Sequence, residues 1–368
     1  MDSVAKEPPA VDSAAADTAA VDSAAARDSL AVDSTVMRDS TRADTAAADS
    51  TTPPVAAPVW SVPAGPVNVR VPPFRSRGDS AALARTVRAG LAQRGWPVRT
   101  PRPPDGAILP GSRIVAFYGS TLSRRMGILG QIPPDSMLAK LDSVAASWEE
   151  ADPATPVQRA LHYVTVVASA GPGDDNKWRM RMDSAAIERV YGWAKRRNAI
   201  LFLDIQAGHS SVMEELPRLA KFLRRPDVHL GIDPEFNMRN LRTFQAPGKQ
   251  VGVLTADEIN YAIGILSGLV AKYNLPPKVL VVHRFRQPMV RDAGNIRLDP
   301  RVQVVMHMDG WGVPSVKYSS YRSYIVAEPV QFTGFKLFFR HDTQKGDRLL
   351  QPMELVQLRP APLYIQYQ

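Results

Sequence analysis

Three pairs of polar residues, each two positions apart, close short apolar runs in this chain: Asp204 with Gln206, Asp233 with Glu235, and His307 with Asp309. Residues i and i+2 of a strand share a face, so each pair points the same way from the end of its run. His283 and Lys336 close two further runs. Carboxylates, imidazoles and an amine at strand ends are the materials of general acid–base catalysis. The sharpest segment is Gly231-Ile232-Asp233-Pro234-Glu235. Pro234 has no N–H for a ladder and marks the end of its strand. Two carboxylates about 6–7 Å apart along a strand repel each other's charge and split into an acid and a helper. The plainer reading of the same pair is a partner for nearby arginines, or a loop cap.

The other polar endings have similar double readings. His283 follows Val279-Leu280-Val281-Val282, where a lone histidine is commonly a hydrogen-bonded rim residue. Asp204, Asp233, His283 and Asp309 together offer metal-ligand types, but no HxH or HExxH spacing accompanies them, so neither a metal nor a cofactor is expected. Lys336 suits either an anionic substrate group or charge balance among these acids. Tyr118, ending the first run, suits stacking on a sugar or donating a hydrogen bond. Trp311, in Asp309-Gly310-Trp311-Gly312, suits an exposed stacking platform or a lid folded over the site. Gly208-His209-Ser210-Ser211 lacks the nucleophile elbow of serine hydrolases.

These residues need a scaffold that brings strand ends together. Eight apolar runs recur: Arg113–Gly119, Leu161–Ser169, Ala199–Gln206, His229–Glu235, Lys278–His283, Val302–Asp309, Phe332–Lys336 and Leu363–Gln368. Helical spacing fills the intervals at 134–150, 183–197, 211–225, 255–273, 286–293, 315–327 and 351–358. Asp183-Ser184 and Thr255-Ala256-Asp257-Glu258 are start signals. The alternation predicts an α/β fold, a (β/α)8 TIM-type barrel without its last helix, with the site at the C-terminal ends of the strands. A doubly wound sheet is the alternative, without a Gly-rich phosphate loop after the first strand to support its dinucleotide-binding form. An amphipathic helix over 79–94, stopped by Gly95, can cover the barrel or fill the missing helix's place.

The chain has 368 residues, no cysteine and a net charge of +9. Disulfides and thiolate chemistry are excluded, and no apolar run reaches the roughly 20 residues of a membrane span. Residues 1–66 form an Asp/Ser/Ala-rich tail and Pro-rich linker, too poor in large apolar groups to order themselves. Residues 67–106 are an extension with one helix, and 107–368 the barrel. The first 52 residues hold ten acids against four bases, so −6 there leaves +15 on the rest. That excess suits an anionic polymer; no zinc-finger or RNP motif points to nucleic acid. No leader is visible at Met1, yet a tail of this composition fits a spacer on an exported, periplasmic or membrane-tethered protein. An upstream signal or anchor segment is therefore expected.

Phe117-Tyr118-Gly119, Met126-Gly127-Ile128-Leu129-Gly130, Leu230–Glu235, Val281-Val282-His283-Arg284-Phe285, His307-Met308-Asp309-Gly310 and Phe335-Lys336-Leu337-Phe338 resemble an uncharacterised bacterial family. Its members look like exported proteins or lipoproteins with a glycoside-hydrolase-like barrel. The resemblance covers about 107–368 and implies that fold, without an established activity. Asp233-Pro234-Glu235 is also similar to the Asp-x-Glu ending of chitinase-like and muramidase-like barrels. That similarity implies Glu235 as the acid/base and Asp233 as its helper. The chain departs from both patterns, with His229 to Ile232 in place of upstream acids and Tyr118 ending the first strand. The expected function is a glycoside-hydrolase-like barrel acting on a cell-surface or wall glycan, with Tyr118, Asp204, Gln206, His283, His307, Asp309, Trp311 and Lys336 around the substrate. A non-catalytic glycan- or peptide-binding barrel is the alternative, and a metal-dependent hydrolase the third. Oligomeric state is not legible.

Overall fold

The computed structural model describes residues 85, 89–100, 103–344 and 347–368. The tail and linker over 1–66, and most of the helix expected over 79–94, lie outside them. The strands are β1 (Arg113–Gly119), β2 (Val157–Ala168), β3 (Arg179–Arg181), β4 (Ile200–Ile205), β5 (Val228–Ile232), β6 (Leu254–Thr255), β7 (Lys278–Arg284), β8 (Val290–Arg291), β9 (Val302–Met308), β10 (Phe332–Leu337) and β11 (Tyr364–Tyr367). Eight of them run parallel in the order β1-β2-β4-β5-β7-β9-β10-β11, and β11 pairs back onto β1. This is the expected closed (β/α)8 barrel. All eight apolar runs of the sequence became its strands.

The helices between them include α1 (Pro134–Ala151), preceded by a single helical turn at Ile128–Gln131, α2 (Ser184–Lys195), α3 (Val212–Leu223), α4 (Ala256–Tyr273), α5 (Pro314–Ser320) and α6 (Pro352–Leu355). The start signals act as expected. Asp183 accepts the Ala186 N–H at 2.6 Å, and Thr255 with Glu258 forms a reciprocal capping box. Among the described residues, no helix is long and apolar enough to cross a membrane.

Strand alternation sorts the apolar residues into two cores. Outward side chains such as Val115, Phe117, Leu203 and Val282 pack under the helices. Inward ones, among them Ile114, Ala116, Phe202, Val281 and Val305, fill the lower barrel. Leu109 joins that inner cluster from below, where Gln303 Oε1 accepts the backbone N–H groups of Ile108 and Leu109 at 3.1 Å each. Its lower end is plugged in this way, and the pocket described below lies at its C-terminal face.

Two expected helices differ. Residues 286–293 form no α-helix: a 3₁₀ turn at Gln287–Met289 leads into β8, which pairs with β6. Pro288 supplies no N–H to a helix, Asp292 takes a left-handed φ of 58°, and Val290 is buried beside Leu254. The helix expected over 315–327 stays α only to Ser320 and widens to a π-helical turn at Tyr321–Val326. The described part of the 79–94 helix ends at Gly95, with φ +81°. Just beyond it Trp96 donates to the Val326 carbonyl at 2.9 Å, so this segment docks beside the π turn. The β11 flank is covered instead from α1, where Trp148 Nε1 donates to the Tyr367 hydroxyl at 3.0 Å.

Candidate active site at the barrel mouth

The fourth barrel strand, β5, ends at Ile232 and not at Glu235. Pro234 cannot continue the ladder, so Pro234–Phe236 folds into a 3₁₀ turn capped by Asp233. Asp233 Oδ1 accepts the Glu235 N–H at 3.0 Å. The two acids therefore do not share a strand face, as the spacing predicted. They meet because one caps the turn that carries the other, and both line a single cavity at the mouth.

The polar wall of that cavity includes Tyr118, Gln206, Asp309 and Lys336, and Phe236, Phe285, Trp311 and Phe338 supply its apolar wall. Gln206 is fixed at both ends. Its Oε1 accepts the Ala168 N–H at 3.2 Å, so Nε2 faces the cavity and donates to Tyr118 Oη at 3.2 Å and Asp233 Oδ2 at 3.3 Å. Lys336 Nζ lies 2.8 Å from Asp309 Oδ1 and 4.0 Å from the Tyr118 ring centroid, a cation–π contact. Trp311 is half-buried, with its ring 5.8 Å from that of His341. It is a wall of the pocket, not an exposed platform.

Asp204, His283 and His307, expected around the substrate, are fully buried below this cavity. Each sits one inward step, two residues, beneath a residue that lines it: Gln206, Phe285 and Asp309 respectively. The layer below the floor also contains residues that the strand-end pattern missed. His162, in the middle of β2, places Nε2 3.3 Å from Asp204 Oδ1, and its Nδ1 is 2.6 Å from the Tyr364 hydroxyl. Gln366 Nε2 donates to that hydroxyl at 3.0 Å. Two glycines make room for these groups. A Cβ on Gly231 would collide with Asp204 Oδ1 and His162 Nε2, and one on Gly334 with His307 Nδ1.

No protein-family model and no curated protein matches the chain. Its chemistry rests on this geometry.

Burial is the first influence on every group here, and nearby charge reverses its effect at Asp204, His283 and Asp309. Burial raises the Asp233 carboxyl to about 7; Asp204 and Asp309 add to the rise, while His283 and Lys336 oppose it. Asp309 is opposite: burial works against its charge, but Lys336 and His283 hold it far below the usual carboxylate value. Burial also disfavours the Asp204 anion, yet His283 and His162 pull it down. For His283, burial is outweighed by Asp204 and Asp309, which raise it. His162 falls to about 4, by burial first and despite Asp204. Tyr118 is pushed well up by burial and then by Asp204 and Asp233, so its hydroxyl remains a donor. The mouth thus holds one carboxyl, Asp233, that stays protonated to near neutrality, and another, Asp309, that does not.

Proposed function

We propose that this barrel hydrolyses an anionic cell-envelope glycan, with Asp233 as proton donor and Glu235 as the second carboxyl of the pair. The observation that carries this reading is that both acids open on one cavity while Asp233 is buried and held protonated to about 7. Pairs of carboxyls whose surroundings push their pKa values apart divide the acid and base roles between them. The roles are exchanged relative to the sequence expectation because Glu235 sits on the turn, half-buried, and Asp233 beneath it.

In this scheme Asp233 protonates the glycosidic oxygen. Glu235 stabilises the positive charge that develops at the reacting carbon and directs the attacking water. Gln206 and Tyr118 donate to sugar hydroxyls, and Phe285, Trp311 and Phe338 present ring faces to the sugar. The +15 outside the acidic tail favours a polyanionic substrate. Composition of that tail supports export and tethering.

The reading is tested by incubating the full chain with isolated envelope glycans and counting reducing ends released. Wild type should turn over, and Asp233→Asn and Glu235→Gln should each lose about 10²–10⁴-fold in kcat. A wild type that retains glycan yet releases no ends is the binding barrel of the alternative reading.

A further inference from the structure

His162, Asp204 and His283 project from β2, β4 and β7 to one place beneath the pocket floor. His162 Nε2 and His283 Nε2 lie 3.3 and 3.7 Å from Asp204 Oδ1, and the three atoms fall within 4.8 Å of one another. All three side chains are 0% exposed, and none of these three atoms has a hydrogen-bond partner. Buried polar atoms are nearly always paired, so three unpaired ones facing each other call for a common partner.

We propose that His162 Nε2, Asp204 Oδ1 and His283 Nε2 bind one divalent transition-metal ion of the zinc class inside the barrel. Two imidazole nitrogens and one carboxylate oxygen are a three-ligand set for such an ion, and its ligands stand ~3.3 Å apart when bound tetrahedrally at ~2.0–2.1 Å. The surrounding bonds aim the rings correctly. His283 Nδ1 is 2.7 Å from Asp309 Oδ2. That carboxylate only accepts, so Nδ1 carries the proton and the neutral ring turns its Nε2 lone pair toward Asp204. His162 Nδ1 is held by Tyr364, itself held by Gln366. Gly231 keeps the space beside both Asp204 Oδ1 and His162 Nε2 free of side chain. Above, the Tyr118 hydroxyl lies 3.5 Å from Asp204 Oδ2 and separates the three ligands from the cavity. The ion stiffens the floor of the site; the acids that act on substrate remain above it.

The competing arrangement is a metal-free imidazolium at His283 between Asp204 and Asp309. It leaves His162 Nε2 facing the same Asp204 oxygen without an aligned hydrogen bond.

The test is to dialyse the full chain against a chelator, add back ZnCl2 or CoCl2, and measure metal content and visible absorption. The proposal expects one ion per chain and a tetrahedral cobalt spectrum. Asp204→Asn and His283→Gln should abolish both, while Tyr364→Phe, which keeps the ring, should weaken binding 10–100-fold. Far-UV circular dichroism establishes that each variant is folded; should the ligand variants not fold, wild-type stoichiometry and Tyr364→Phe decide. Wild type taking up well under one equivalent overturns the proposal, as does a full equivalent retained by folded Asp204→Asn. Asp233→Asn should keep its metal whatever becomes of turnover, so this site and the proposed activity stand or fall separately.

Discussion

The Asp233 carboxyl caps the turn that carries Glu235, its Oδ1 accepting the Glu235 backbone N–H at 3.0 Å, so one acid positions the other. Asparagine retains that acceptor and alanine does not. Near pH 4.5, where Asp233 is protonated, Asp233→Asn should therefore unfold close to wild type, whereas Asp233→Ala should lose about 1 kcal/mol more, the usual worth of a helix cap. Urea denaturation of the two variants measures the difference.

The second prediction concerns pH. Groups facing Asp233 from the surrounding strands are Tyr118, Asp204, His283, Asp309 and Lys336, with Glu235 on its own turn. Their balance with burial leaves Asp233 protonated up to about 7. In chelator-treated protein, turnover should fall as pH rises through about 7, because the donor loses its proton. Stability has the same sign. The folded state keeps a proton that the unfolded chain releases near ~4, so this group's contribution is full below ~4 and is lost as pH rises to about 7. Denaturation from pH 4.5 to 8 should show that decline in wild type relative to Asp233→Asn. Parallel curves would remove the raised carboxyl from the account.

Gly231 and Gly334 face inward and have no room for a Cβ. Gly231→Ala must displace Asp204 or His162, and Gly334→Ala must displace His307. Each should cost about 1–3 kcal/mol by overpacking, read as a lowered midpoint in thermal or urea melts. Gly171, with nothing near its Cβ position, is the control and should tolerate alanine.

Lys336 and Asp309 form a buried pair at 2.8 Å. Lys336→Met removes the lysine partner of the buried Asp309 charge and should cost about 3 kcal/mol. The double variant Lys336→Met with Asp309→Asn should recover much of that loss. A loss in the double variant equal to the sum of the two single-variant losses would mean the pair is not coupled.

The barrel was legible because eight strand-length apolar runs alternated with helical spacing, and closure followed from their number. The site was legible in part. Asp233, Glu235, Gln206, Tyr118, Asp309 and Lys336 do meet at one mouth, but Glu235 arrives there on a turn, since the strand ends at Ile232, three residues early. His162 was missed because it lies inside a run, and attention to run endings passes over it. A lone histidine in a strand buried on both faces was its signal. Gly231 and Gly334 were a second signal, since an inward glycine in a strand marks something approaching closely. Burial depth was beyond the pattern: spacing gives the face of a residue, but not whether it lines a pocket, like Asp309, or lies under it, like His307.

The central claim is that Asp233 donates the proton that cleaves a glycan bound at the mouth. Its most direct measurement sets Asp233→Asn beside wild type on the same envelope glycan, following retention and reducing-end release together. Retention should be unchanged while release falls at least about 10²-fold. Release by Asp233→Asn at the wild-type rate would contradict it.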